Sequence, residues 1–312
     1  MTNSEVQTST SSPAQVRLAL IAIQVLFGLN YLASKYIVTE IGPAAWAALR
    51  TSTAFVVIAL IAVRGQRQLP PGRDILLLGV AALFGVVLNQ GFFLEGLSRT
   101  TVGRSALICS QIPTFVLLFS VLSGQEKISL RKSLGFAAGI SGVLVLLEVD
   151  RFQLDSRYLT GDLLTLSNAA SYGLYVVIGR RVMARNDPLM ATAVVFFWGA
   201  LGMAIYGGDE LLATDFSRLT PSLLAAMAYV VLGATVVTYF LNLWAIKRVE
   251  ATRVAVFIFL QPIIATSLGV MLRGEEITGR FVVAGALVLT ALLLRDSRPT
   301  PQPNKTSQPD SS

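Results

Sequence analysis

Apolar runs of about 20 residues, separated by short polar breaks, fill nearly the whole chain. They lie at 17–36, 44–63, 75–97, 102–122, 132–149, 160–180, 189–206, 221–244, 252–272 and 278–295. A helix needs about 20 residues to cross the hydrocarbon layer of a bilayer. Stretches such as Val143–Leu147 are continuously apolar instead of alternating, which argues against a membrane barrel. In lipid the backbone must satisfy its own hydrogen bonds, so each run is predicted to be a helix. The pattern therefore predicts an all-α integral membrane protein with ten transmembrane helices. Residues 1–16 and 296–312 carry no long apolar run and are rich in Ser, Thr, Gln and Pro, so both read as disordered tails.

Composition agrees: 54% of the 312 residues are apolar and 14% are charged, against roughly 25% charged in a soluble domain. Charge then adds a direction. With the N-terminus inside, sixteen of the 25 basic residues fall on the inner side, eight on the outer, and Arg50 lies within a span. That bias places both termini in the cytoplasm and the chain in an inner or plasma membrane. The net charge of +7 is scattered between apolar runs, so it reads as topology and not as a nucleic-acid surface. The chain has no histidine and one cysteine, Cys109. Histidine triads, histidine-ligated metals, intrachain disulfides and thiolate clusters are thereby excluded. Phosphate-loop and serine-elbow motifs are absent. No cofactor or metal is expected, and an intramembrane enzyme is disfavoured against a carrier, with a scaffold or receptor as the remaining alternative.

The chain also repeats itself. At a shift of 145, Phe27-Gly28-Leu29 answers Tyr172-Gly173-Leu174, Lys35 answers Arg180, and Pro43 answers Pro188. At a shift of 149, Asn89 answers Thr238, Arg104 answers Arg253, Pro113 answers Pro262, and Glu126 answers Glu275. The halves are residues 17–149 and 150–295, with five predicted helices each. Five is odd, so the second half enters the membrane from the opposite side. Two inverted five-helix repeats are a plan of secondary transporters, in which related halves exchange conformations around a central site.

The segments FGLNYLASK…GPAAWAALR, NQGFFLEGLSRTTVGRSALICSQIP and GQEKISLRKSLG, with the echoes YFLNLWAIKRVEATRVAVFIFLQPIIA and GEEITGRFVVAG, resemble the EamA family of the drug/metabolite transporter superfamily. The resemblance covers roughly residues 17–295. It implies a ten-helix carrier with cytoplasmic termini and a cavity between the halves. It also implies export of amino acids or other small polar metabolites, often driven by the proton gradient. An arginine at position 50 and glutamates at 126 and 275 are family marks.

Polar residues inside the spans form stripes, since helix positions turn by about 100° per residue. Thr165, Asn168, Tyr172, Tyr175 and Gly179 share one face of the sixth span. Thr235, Thr238, Tyr239 and Asn242 share a face of the eighth. Gln24, Gly28, Tyr31 and Lys35 do so in the first, and Gly85, Asn89, Phe93 and Gly96 in the third. Such stripes must face protein or water. They serve either as packing seams or as cavity walls. The substrate-binding candidates are Tyr31, Arg50, Asn89, Gln111, Asn168, Tyr172, Tyr175, Thr238, Tyr239, Asn242 and Gln261. Arg50 could hold a carboxylate or pair with a neighbouring helix. Glu95 is the candidate for proton coupling, with a salt bridge to Arg99 as its alternative. Pro113 and Pro262 each remove a backbone donor and are the candidate hinges. Lys35 reads as an anchor or gate, and Glu126 and Glu275 as helix caps. Gly135 and Gly139 form a G-x-x-x-G face for packing or dimerisation. The expected partners are a small-molecule substrate, the bilayer and a second copy of the chain.

Overall fold

A computed structural model describes residues 13–127, 129–147, 158–238, 240–241, 257 and 260–294. All its extended elements are helical. The first half contains α1 (Pro13–Ile41), α2 (Pro43–Arg64), α3 (Gly72–Ala82), α4 (Asn89–Arg99), α5 (Val102–Cys109), α6 (Ile112–Leu122) and α7 (Leu130–Leu146). The second contains α8 (Leu159–Arg185), α9 (Pro188–Ala213), α10 (Pro221–Ala228), α11 (Leu260–Arg273) and α12 (Gly279–Leu293). A π-helical stretch, Leu83–Leu88, joins α3 to α4, and another, Tyr229–Val237, continues α10.

Among the described residues, five spans are long and apolar enough to cross a bilayer: Ala14–Ile41, Pro43–Arg64, Gly72–Arg99, Val102–Leu122 and Pro188–Ala213. The 27-residue α8 is long enough but more polar, and the packing shows why. It buries Asp162, Thr165, Asn168 and Ser171 inside the bundle, away from lipid. Observed ends lie a few residues from the predicted ones. Helix α1 starts at Pro13, inside the segment read as a tail, and α9 runs to Ala213.

The contacts obey the repeat. Helix α1 packs on α11, on α10 and on the π stretch after α10. Its counterpart α8 packs on α6, on α4 and on the π stretch before α4. The first span of each half is thus lodged against the third and fourth spans of the other. The halves also meet through α2 on α9 and α7 on α12, each a helix against its own counterpart. Small residues permit the closest approaches. A methyl group on Gly135 would stand 2.9 Å from the Ala291 carbonyl oxygen, and one on Gly142 would stand 3.0 Å from that of Ala284. Gly139 abuts Gln111 and Thr114 as well as Ala291, so the G-x-x-x-G face is occupied by the fourth span and α12 of the same chain.

Breaks in the helices have local causes. Ser110 and Gln111 separate α5 from α6, and Pro113 sits in the first turn of α6, where a missing donor costs least. Pro262 stands near the start of described α11. The π stretches were not anticipated from the sequence. They fall at corresponding places in the two halves and end beside Asn89 and Thr238. Thr235 Oγ1 donates to the Val230 carbonyl five residues back, at 2.9 Å, inside the widened turn.

Several described charges within the bundle are tied to helix ends. Asp162 is fully buried and accepts from Arg104 Nε at 2.9 Å and Thr100 Oγ1 at 2.6 Å. Asp74 accepts from Arg185 Nε at 2.8 Å and Asn186 Nδ2 at 2.7 Å. The turn from α4 to α5 is clamped from both sides. Lys35 Nζ donates to the carbonyls of Leu97, Ser98 and Thr100 at 2.6, 3.0 and 2.8 Å, where α4 ends. Glu275, from the turn between α11 and α12, accepts from the backbone N–H of Val102 at 2.7 Å and of Gly103 at 3.0 Å, where α5 begins. A cation thus meets a helix C-terminus and an anion a helix N-terminus, as the helix dipoles favour. Gly269 leaves the space through which Glu275 passes. Glu126, the counterpart of Glu275, accepts instead from Lys132 Nζ at 2.9 Å.

Replacing Glu275 with Ala leaves two helix-start donors without an acceptor. We expect a loss of about 1–2 kcal/mol, read as a lower midpoint of thermal unfolding in detergent, with Glu275→Gln intermediate. An unchanged midpoint for the alanine variant contradicts the clamp.

Candidate functional site

A cavity of about 330 Å³ lies between the halves. Its walls come from α1, α2, α8, α9 and both π-containing spans, and they too follow the repeat. Phe27 faces the cavity with Tyr172, its counterpart at the 145 shift, as do Arg50 with Val195 and Thr51 with Phe196. At the 149 shift Gly85 pairs with Ala234, Val86 with Thr235, and Asn89 with Thr238. Six wall positions from one half are thus matched by their six counterparts, which puts the cavity on the axis relating the repeats. Ile58, Met183 and Thr192 extend the wall toward the membrane side that holds the N-terminus of α1. The clamp of Lys35 and Glu275 lies on the opposite side.

The position is symmetric and the chemistry is not. The first half contributes Arg50 where the second has Val195. Arg50 Nη1 donates to Gln90 Oε1 at 3.1 Å, and Nη2 meets Thr235 Oγ1 at 3.4 Å. Gln90 Nε2 donates in turn to Asn89 Oδ1 at 2.9 Å. Asn89 and Asn168 then clasp each other. Asn89 Nδ2 donates to the Asn168 carbonyl at 3.3 Å, and Asn168 Nδ2 to the Asn89 carbonyl at 2.8 Å. Cys109 Sγ donates to Asn168 Oδ1 at 3.2 Å. A continuous polar chain thus runs from the cavity cation to the contact of α4 with α8.

Aromatic rings supply the flat apolar part of the wall. Tyr172 and Tyr175 lie 5.4 Å apart between centroids, tilted by 55°. Tyr172 is 36% exposed at mid-helix and lines the cavity. Gly85 makes room for the Tyr175 ring, which would collide with any side chain there.

Other sequence candidates lie elsewhere. Tyr31 is buried in the core edge-on to Phe93, with centroids 5.5 Å apart. Gln261 Nε2 donates to Gln24 Oε1 at 2.6 Å, joining α11 to α1. Gln111 is buried at the break in the fourth span; its Oε1 accepts from Thr114 at 3.0 Å, while its Nε2 has no hydrogen-bond partner. Glu95 pairs with Arg99 one turn away and accepts from Tyr206 OH at 2.8 Å, off the cavity wall. Tyr239 and Asn242 lie outside the described residues. The sequence reading did not select Gln90, Thr51, Thr192 or Phe196. The repeat itself could have flagged Phe196, which answers Thr51 beside the arginine.

The EamA-like transporter family profile matches residues 16–148 and, a second time, residues 159–295. The chain belongs to the EamA-like transporter family. It is a multi-pass membrane transporter and not an enzyme. A protein from Archaeoglobus fulgidus named an uncharacterized transporter is 24% identical over 88% of this chain and 96% of its own length. A protein from Salmonella typhimurium named a probable amino-acid metabolite efflux pump is 26% identical over 89% of this chain and 93% of its own. One solved crystal structure, 20% identical, superposes with a TM-score of 0.58 over 91% of this chain and 97% of that one, and shares the fold. Within this EamA chain, residues from both matched stretches line the cavity.

The Asn89–Asn168 clasp can be tested by single substitutions, because each side chain bonds the other residue's backbone carbonyl. Asn89→Ala and Asn168→Ala should each cost about 1–3 kcal/mol by stranding a buried carbonyl, read as a lower midpoint of unfolding in detergent. Unchanged midpoints in both variants contradict the clasp.

Proposed function

We propose that this EamA protein is a secondary active carrier exporting small organic metabolites, amino acids or related compounds, across the plasma membrane. Export proceeds by alternating access around the central cavity and is coupled to protons. Both termini lie in the cytoplasm. The observation that carries this reading is the position of the cavity on the repeat axis, with one cation, several hydroxyls and amides, and aromatic walls. A volume near 330 Å³ suits a small organic solute. Arg50 offers charge-assisted hydrogen bonds to a carboxylate, and Tyr172 and Tyr175 flank the apolar part of the cargo. With the N-terminus inside, the described arrangement faces inward, and the clamp of Lys35 and Glu275 closes the outer side. The name of the Salmonella relative supports outward movement of amino-acid-derived cargo.

Glu95 is the carboxylate proposed for proton coupling. It lies six residues beyond Asn89 on α4, so protonation would act on the cavity through that helix.

Purified protein in liposomes should catalyse counterflow of members of an amino-acid and organic-acid panel, stimulated by an imposed pH gradient. Tyr172→Ala should lower apparent affinity about tenfold, through loss of roughly 1–1.5 kcal/mol of aromatic contact. Absence of flux across the panel defeats the carrier reading. An unchanged pH profile of flux in Glu95→Gln removes that residue from coupling.

A further inference from the structure

Among the described residues, several charges held between helices have partners of their own. Asp162 has Arg104, Asp74 has Arg185, Lys35 has three carbonyls, and Glu275 has two backbone N–H groups. Arg50, which faces the cavity, is paired with no acidic group among the described residues. Its guanidinium donates to two neutral oxygens, those of Gln90 and Thr235. A guanidinium has five N–H donors, so three remain for other acceptors. The described residues lining the cavity include no aspartate and no glutamate. The polar chain behind Arg50 is neutral as well. Gln90 turns its acceptor to the arginine and passes its own donors to Asn89, which passes its donors to the backbone of α8. That chain positions the charge without cancelling it.

Closing a cavity around an unpaired guanidinium removes its water and supplies nothing in exchange, which is costly in a low-dielectric interior. The closed, loaded state therefore needs one negative charge from the cargo. A zwitterion brings a carboxylate for Arg50 but also an ammonium, and the described wall has no carboxylate to receive it. Resting on the reading of this cavity as the transport site, we propose that it selects cargo carrying one net negative charge. Such cargo is an organic acid, or an amino acid whose side chain bears a second carboxylate. The half-site difference between Arg50 and Val195 fixes the orientation of that cargo. Its carboxylate lies toward α2, and its apolar body lies toward Tyr172, Tyr175, Val195 and Phe196.

The test uses matched compounds that differ in charge and share a carbon skeleton, except that each amine lacks the carboxyl carbon. These are 3-phenylpropanoate, phenylalanine and phenethylamine; 4-methylpentanoate, leucine and 3-methylbutylamine; and glutamate against glutamine. Binding to the full-length protein in detergent is read by thermal shift and by titration calorimetry. We expect the net anion of at least one set to bind tenfold or more tightly than its zwitterion, and the amine to bind weakest. Arg50→Gln should abolish that preference, and Arg50→Lys should retain it; the unliganded melting midpoint of each variant reports whether it folds. If zwitterions bind and are carried while the matched anions are not favoured, the transport-cavity reading stands and this proposal is overturned. A preference for anions that survives in a folded Arg50→Gln protein also overturns it. Binding by no compound in any set defeats the cavity reading and this proposal together.

Discussion

A bilayer offers no hydrogen bonds, so every polar group inside it must be answered by the protein, by trapped water or by cargo. This constraint shapes the chain at each level. It makes the apolar runs helices. It turns the polar face of α8 inward, where Asn168 meets Asn89 and Asp162 meets Arg104. It places Lys35 and Glu275 on helix ends, where carbonyls and N–H groups would otherwise lack partners. Against this background Arg50 stands out, because its answering charge is not supplied by the described residues around it.

The repeat explains how one chain builds such a site. Lodging the first span of each half against the third and fourth spans of the other brings matching wall positions to a common centre. Symmetry then determines where the cavity is, and sequence divergence between the halves determines what it holds. Arg50 and Val195 occupy equivalent places with opposite chemistry, as do Thr51 and Phe196. The π stretches sit at the same point of both halves and present Asn89 and Thr238 to the cavity. π turns inside α-helices are rare and are found frequently at functional sites.

The polar stripes were legible in the sequence because a polar residue at membrane depth is conspicuous. Their destinations were not. Tyr31, Gln24 and Gln261 lie on such stripes or beside a proline, yet their partners are other helices. Tyr172, Tyr175, Asn89 and Thr238 look no different along the chain and reach the cavity wall. Gln90 points elsewhere on the helical wheel than Asn89, yet it too lines the cavity and accepts from Arg50. Glu95 has both Arg99 within one turn and Tyr206 from a distant helix; only the first contact follows from spacing.

The amino-acid sequence by itself determined the helical membrane class, the number and order of spans and the two-fold repetition. Those depend on hydrophobic length, on period and on local identity, which are written along the chain. Only the tertiary structure decided which polar faces meet each other and which line a cavity, and that Arg50 stands there without an acidic partner among the described residues. These outcomes depend on the angles and depths at which helices distant in sequence pack, and no local pattern encodes them.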